Sequence, residues 1–165
     1  MSKLKPPVGA NDHAQGLANA PITVVEYGDY ECPYCGQAYP ITKQLQKRLG
    51  NKLRFVFRNF PLGEMHPHAE HAAEAAEAAG AQGKFWEMHD MLYEHQDALE
   101  DADLARYAKA LKLDLPRFIK DMEDHAHIDR VRSDFTTGVR SGVNGTRHDG
   151  PFDLSSLLAA IKESA

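Results

Sequence analysis

The sequence predicts an α/β fold in which a strand, helix, strand unit carries both cysteines and a block made only of helices follows it. Three observations carry that prediction. The run Ile22 to Tyr27 is β-branched and aromatic and ends at Gly28-Asp29, a strand closing in a turn. Cys32-Pro33-Tyr34-Cys35 comes next and opens a stretch with apolar residues at helical spacing. From His66 to about Ser141 the spacing is helical throughout.

Residues 1–21 hold Pro6, Pro7, Gly9, Gly16 and Pro21 with few large apolar side chains, so they are expected to form an irregular leader. Residues 22–63 form the unit with the cysteines. Pro33 suits the first turn of a helix, where its missing N–H costs nothing, and Tyr39, Ile41, Leu45 and Leu49 continue the helical pattern. Pro40 is expected to kink this helix, and Gly50-Asn51 to stop it. Leu53 to Phe60 is a second strand, closed by Pro61 and Gly63.

Residues 64–142 form the helical block. His68 to Ala79 is rich in Ala and Glu, with high helix propensity and little bulk, so it can approach its neighbours closely. Phe85, Trp86, Met88, His89, Leu92 and Tyr93 mark the next helical face, and Phe85, Trp86 and Tyr93 are read as packing residues. Leu104 to Leu111, Leu115 to Met122 and Ile128 to Val139 complete the block. In residues 143–165, Asp153 is a predicted N-cap for a helix over Leu154 to Lys162.

Composition narrows the function. With 42% hydrophobic residues the chain has enough apolar material for a core, and a net charge of -5 gives no field to draw in nucleic acid. No apolar run reaches the 18 or so residues of a membrane span, and Met1 to Val8 is not followed by an apolar signal core. The expectation is therefore a soluble protein without membrane or nucleic-acid partners, cytoplasmic as given and periplasmic if a signal was removed.

Two cysteines, both in one cluster, exclude a disulfide scaffold. At a helix N-terminus the free N–H groups and partial positive charge stabilise a thiolate, which makes Cys32 the nucleophile. Cys35 lies one turn further in and can resolve a mixed disulfide formed at Cys32. A structural zinc site needs four ligands, and no second cysteine pair exists. His66, His68 and His71 are read as capping or solvated, and His125 and His127 as part of a solvated connection. No metal and no cofactor beyond a Cys32-Cys35 disulfide is expected.

The run Val25-Glu26-Tyr27-Gly28-Asp29-Tyr30-Glu31-Cys32-Pro33-Tyr34-Cys35-Gly36, with Arg58-Asn59-Phe60-Pro61-Leu62, His66-Pro67 and Gly83-Lys84-Phe85-Trp86, resembles the DsbA-like thiol:disulfide oxidoreductases of the thioredoxin superfamily, in particular compact bacterial members. The resemblance runs from His13 to the C-terminal helix. It implies a thioredoxin-like fold with an inserted all-helical subdomain, and a protein-disulfide oxidoreductase whose partners are protein or glutathione thiols and disulfides and a redox recycling protein. It also implies that Glu26, six residues before Cys32, is the buried acid beneath the site that takes the proton from Cys35. Pro33, Tyr34 and Thr146 are expected on the substrate-binding face.

Two further readings stay open. Pro33-Tyr34 matches the glutaredoxin dipeptide, which suits a cytosolic thiol transferase, and a non-catalytic binding module would keep the fold without turnover. Strongly oxidising DsbA proteins carry a His before the second cysteine. Tyr34 cannot supply that charge, and Asp29 and Glu31 add repulsion, so a less oxidising couple is expected.

The chain departs from the family after Gly142-Val143-Asn144-Gly145-Thr146. Family members continue with a cis-proline and a short aromatic strand, whereas here Arg147 follows at once. A sheet truncated after Thr146 is expected, lacking a hairpin of about seven or eight residues. A bare sheet edge invites a second chain, so a homodimer is expected with it.

Overall fold

A computed structural model of the chain describes residues 4–143, 153–156, 158 and 159. The α/β expectation holds. Strand β2 (Ile22–Gly28) and strand β3 (Leu53–Asn59) pair in parallel from Ile22 opposite Leu53 to Gly28 opposite Asn59. Helix α1 (Pro33–Leu49) makes the crossover that a parallel pair requires. It runs as one helix through Pro40, and the chain leaves it through Gly50, at φ 49, and a single 3-10 turn. Its buried residues are Ala38, Thr42 and Leu45, with Tyr39 partly buried beside them.

The leader is not irregular throughout. Residues His13–Gln15 form strand β1, which pairs antiparallel with β3 and gives the sheet order β1-β3-β2. The side chain of Arg58 ties the rest down. It forks onto Asp12 at 2.7 and 3.0 Å and donates to the carbonyls of Pro6 and Pro7. A three-residue strand has no alternation of its own to announce it, because its hydrogen bonds come from β3.

Central strand β3 is buried along nearly its whole length, as expected for a strand covered on both faces. Helix α2 (Ala69–Gly80) lies in the core with seven buried alanines, since only small side chains let a helix pack on all sides. Helices α3 (Phe85–Glu94), α4 (Asp101–Ala110), α5 (Leu115–Glu123) and α6 (Ile128–Arg140) follow within three residues of their predicted starts. Phe85, Met88, Leu92 and Tyr93 are buried and Trp86 is partly buried, confirming their packing role. Asp153 accepts the backbone N–H of Ser156 at 2.8 Å, the contact expected of an N-cap. Thr146 and the expected sheet truncation lie outside the described residues.

Candidate active site

Strand β2 ends at Gly28, and the chain turns through Asp29-Tyr30-Glu31 to place Cys32 at the N-cap of α1 with extended backbone (φ -71, ψ 122) and Pro33 in the first turn. No acidic residue occupies that first turn, while Lys47 and Arg48 occupy the last, so the helix dipole is left to favour an anion at Cys32. Both thiols are free. The neighbouring Cys35 thiol, as a hydrogen-bond partner, leads the causes that hold Cys32 down at about 6, against desolvation, with the N–H groups of Cys35 and Tyr34 adding to it. The same bond, with burial, pushes Cys35 far up. One sulfur is prepared as the thiolate and the other as its proton donor.

Access is less simple. Cys32 is 1% exposed and Cys35 is half-buried, the reverse of the order expected for an attacking and a resolving thiol. Pro33 and Tyr34 stand exposed beside them, Tyr34 at 61%.

Glu26 lies on β2 opposite Phe57, half-buried, with Thr42 Oγ1 donating to it at 3.5 Å. A cleft between β2, α1 and α3 surrounds it, with Tyr39, Lys43, His89 and Tyr93 among the lining residues. Desolvation pushes its carboxyl up to about 7. Its charge in turn raises Cys35, which places the two groups within electrostatic reach. An acid poised near neutrality beside the high thiol can exchange a proton with it.

Asp29 was expected only to repel the thiolate. It is instead a buried hub: one oxygen accepts the N–H of Glu31 at 2.8 Å and of Cys32 at 3.2 Å, and the other accepts the N–H of Leu62 at 2.8 Å and His66 Nδ1 at 2.7 Å. It therefore orients the cysteine turn and ties it to the segment after β3. Its charge does raise the Cys32 pKa, but as the smallest of the leading influences.

The histidines read as capping or solvated are paired. His66 is mostly buried against Asp29; burial pulls its pKa down, but the bond and charge of Asp29 outweigh that and the net shift is upward. His68 holds Glu31 through its Nδ1 at 2.9 Å and its backbone N–H at 2.7 Å. Both acids near Cys32 thus carry a histidine partner. From the α3–α4 connection Gln96 donates to the carbonyls of Tyr30 and Cys32 at 2.8 and 2.9 Å. Gly36 makes room for it, since a Cβ there would lie 1.9 Å from Gln96 Oε1. Cys-x-x-Cys spacing signals none of Asp29, His66 or Gln96; each acts through a fold contact.

A family model described as Thioredoxin matches residues 9–163. The chain belongs to the thioredoxin family. A thioredoxin-like oxidoreductase from Silicibacter pomeroyi superposes with a TM-score of 0.80 at 29% identity, covering 94% of this chain and 93% of that one. The thiol-disulfide exchange protein alpha-DsbA2 from Wolbachia pipientis shares the fold with a TM-score of 0.78 at 23% identity, over 94% of this chain and 88% of that one. The DsbA-like resemblance of the motifs is thereby matched in three dimensions, and the chain has a thioredoxin fold of DsbA-like architecture.

The curated relatives are longer. A Salinispora tropica protein named Na(+)/H(+) antiporter NhaA 3 is 48% identical over 158 residues, which is 91% of this chain and 24% of the relative. The chain spans about a quarter of the length of such relatives.

Proposed function

We propose that this chain is a thiol:disulfide oxidoreductase in which Cys32 and Cys35 pass between dithiol and disulfide through a mixed disulfide with a protein substrate. The observation that carries the reading is the placing of two free thiols at the start of α1, Cys32 at its N-cap and Cys35 in its first turn, which suits a thiolate at Cys32 with Cys35 as its partner. In the reductive direction the Cys32 thiolate attacks a substrate disulfide, and one substrate sulfur leaves as a thiolate. Cys35 gives its proton to Glu26 and attacks the Cys32 sulfur. The mixed disulfide breaks, the second substrate thiolate leaves, and a Cys32-Cys35 disulfide remains. Oxidation of a substrate dithiol is the same sequence reversed. Either way Cys32, closed to solvent here, has to become accessible to the substrate, and Pro33 and Tyr34 are exposed beside it.

A glutaredoxin-like transferase is the second reading, favoured by Pro33-Tyr34 and by the absence of a charged residue between the cysteines. Sodium or proton transport, named for the longer relatives, is not proposed for a chain that matches a quarter of them. Among the described residues no helix is long and apolar enough to cross a membrane.

The test is trapping. Cys35→Ser should accumulate a mixed disulfide with a disulfide-bonded model protein, seen as an adduct by intact mass under non-reducing conditions, and Cys32→Ser should not. An adduct on Cys35 in the Cys32→Ser protein, with none on Cys32 in the Cys35→Ser protein, would reverse the roles. Preference for glutathionylated peptide over protein disulfide would select the transferase reading.

A further inference from the structure

Helix α2 carries His71 and Glu74 three residues apart, and the connection between α5 and α6 carries His125. The fold brings one ligand atom from each to within 4.8 Å of the others. Glu74 is 1% exposed on a helix otherwise buried through alanine, and the group its carboxylate meets is His125, whose Nδ1 lies 3.1 Å from both oxygens. A carboxylate taken out of water demands a positive partner. A divalent cation held between this carboxylate and the two imidazoles would supply one.

The surroundings suit such an ion. His71 Nδ1 meets the carboxylate of Asp101, at the start of α4, at 2.9 Å. That contact holds the proton on Nδ1 and leaves Nε2 as the nitrogen free to ligate, the carboxylate and histidine pairing usual behind metal-binding imidazoles. The two imidazole rings stand 5.5 Å apart. In a tetrahedral site with bonds of about 2.1 Å, neighbouring ligand atoms lie about 3.4 Å apart. The observed spacing closes to that by a movement of about an ångström, which His125 can make because its side chain is 53% exposed. Two imidazoles and one carboxylate select a borderline transition metal over magnesium or calcium, which take oxygen ligands.

We infer that His71, Glu74 and His125 form a three-ligand site for a divalent transition-metal ion, zinc by the chemistry of the set, with Asp101 orienting His71 and water completing the coordination. The ion would replace the bond between His125 and Glu74 and tie α2 to the α5–α6 connection. The site shares no residue with the thiol pair and does not depend on the redox reading. No spacing in the sequence reveals it, because His71 and His125 lie far apart in the chain.

Thiols bind zinc, so the experiment uses the full chain with Cys32→Ser and Cys35→Ser together. Titration with zinc chloride in a calorimeter should show one ion per chain, and the same protein should gain about 5–10 °C in Tm at a hundredfold excess over Kd. His71→Ala and His125→Ala should each weaken binding at least about tenfold. Glu74→Gln, which keeps a polar contact to His125, should do likewise, and His127→Ala should leave affinity unchanged. The half-exposed position of His125 makes its variant safe for folding. Absence of both heat and Tm shift with zinc and nickel would overturn the site, as would unchanged affinity in both His71→Ala and His125→Ala.

Discussion

If the Cys35 S–H is what holds Cys32 as a thiolate, replacing Cys35 by Ala removes that donor while leaving the helix N-terminus in place. A hydrogen bond to a charged group is worth about 1.5–3 kcal/mol, and one pH unit corresponds to about 1.36 kcal/mol. The midpoint of Cys32 ionisation should therefore rise from about 6 by about one to two units. Cys35→Ser keeps a hydroxyl donor and should move it by less. The assay is the rate of iodoacetamide alkylation between pH 4 and 10, and Cys35 does not compete near neutrality because it is held far above it. Absolute rates are a poor guide. A thiol with a midpoint near 6 gains roughly thirtyfold in thiolate at pH 7 over an ordinary one, but its lower basicity takes back roughly tenfold. The burial of Cys32 also slows every variant. The midpoint is free of both effects, so a Cys35→Ala profile within about 0.3 units of the parent would refute the argument and assign the thiolate to the backbone N–H groups alone.

Three other outcomes are expected. Glu26 holds its proton up to about 7 in the folded chain and loses it near 4.5 when unfolded, so between these values its contribution to stability falls as pH rises. Urea unfolding of Glu26→Gln should lack that decline and show a gain of up to about 3 kcal/mol above pH 7; a constant difference from the parent between pH 4 and 8 would show that the fold does not raise this carboxyl. Asp29→Asn turns an NH2 group or a neutral oxygen toward donors that now meet a carboxylate, at a cost of about 2–4 kcal/mol, or about 5–15 °C in Tm; a change within 1 °C would show that the hub is dispensable. The reduction potential, measured against a glutathione buffer, should fall at about -200 to -230 mV because no charged residue lies between the cysteines, and a value above about -150 mV would contradict that.

By itself the sequence determined the elements whose causes are local. The β-branched run 22–27, Pro33 after Cys32, and the helical spacing of residues 85–93, 104–111, 115–122 and 128–139 specify β2, α1 and the helices, because propensity and periodicity act within a few residues. It also placed both thiols at a helix N-terminus and an acid on the strand beneath them. Only the tertiary structure decided what surrounds them. Strand β1 exists because β3 offers it hydrogen bonds, and Arg58 reaches 46 residues back to hold Asp12. Asp29 meets His66 across 37 residues, Gln96 reaches Cys32 across 64, and Glu74 meets His125 across 51. Such contacts leave no periodic trace, since a buried polar group finds its partner only after the elements have packed, and a buried charge obliges them to pack so that one is there.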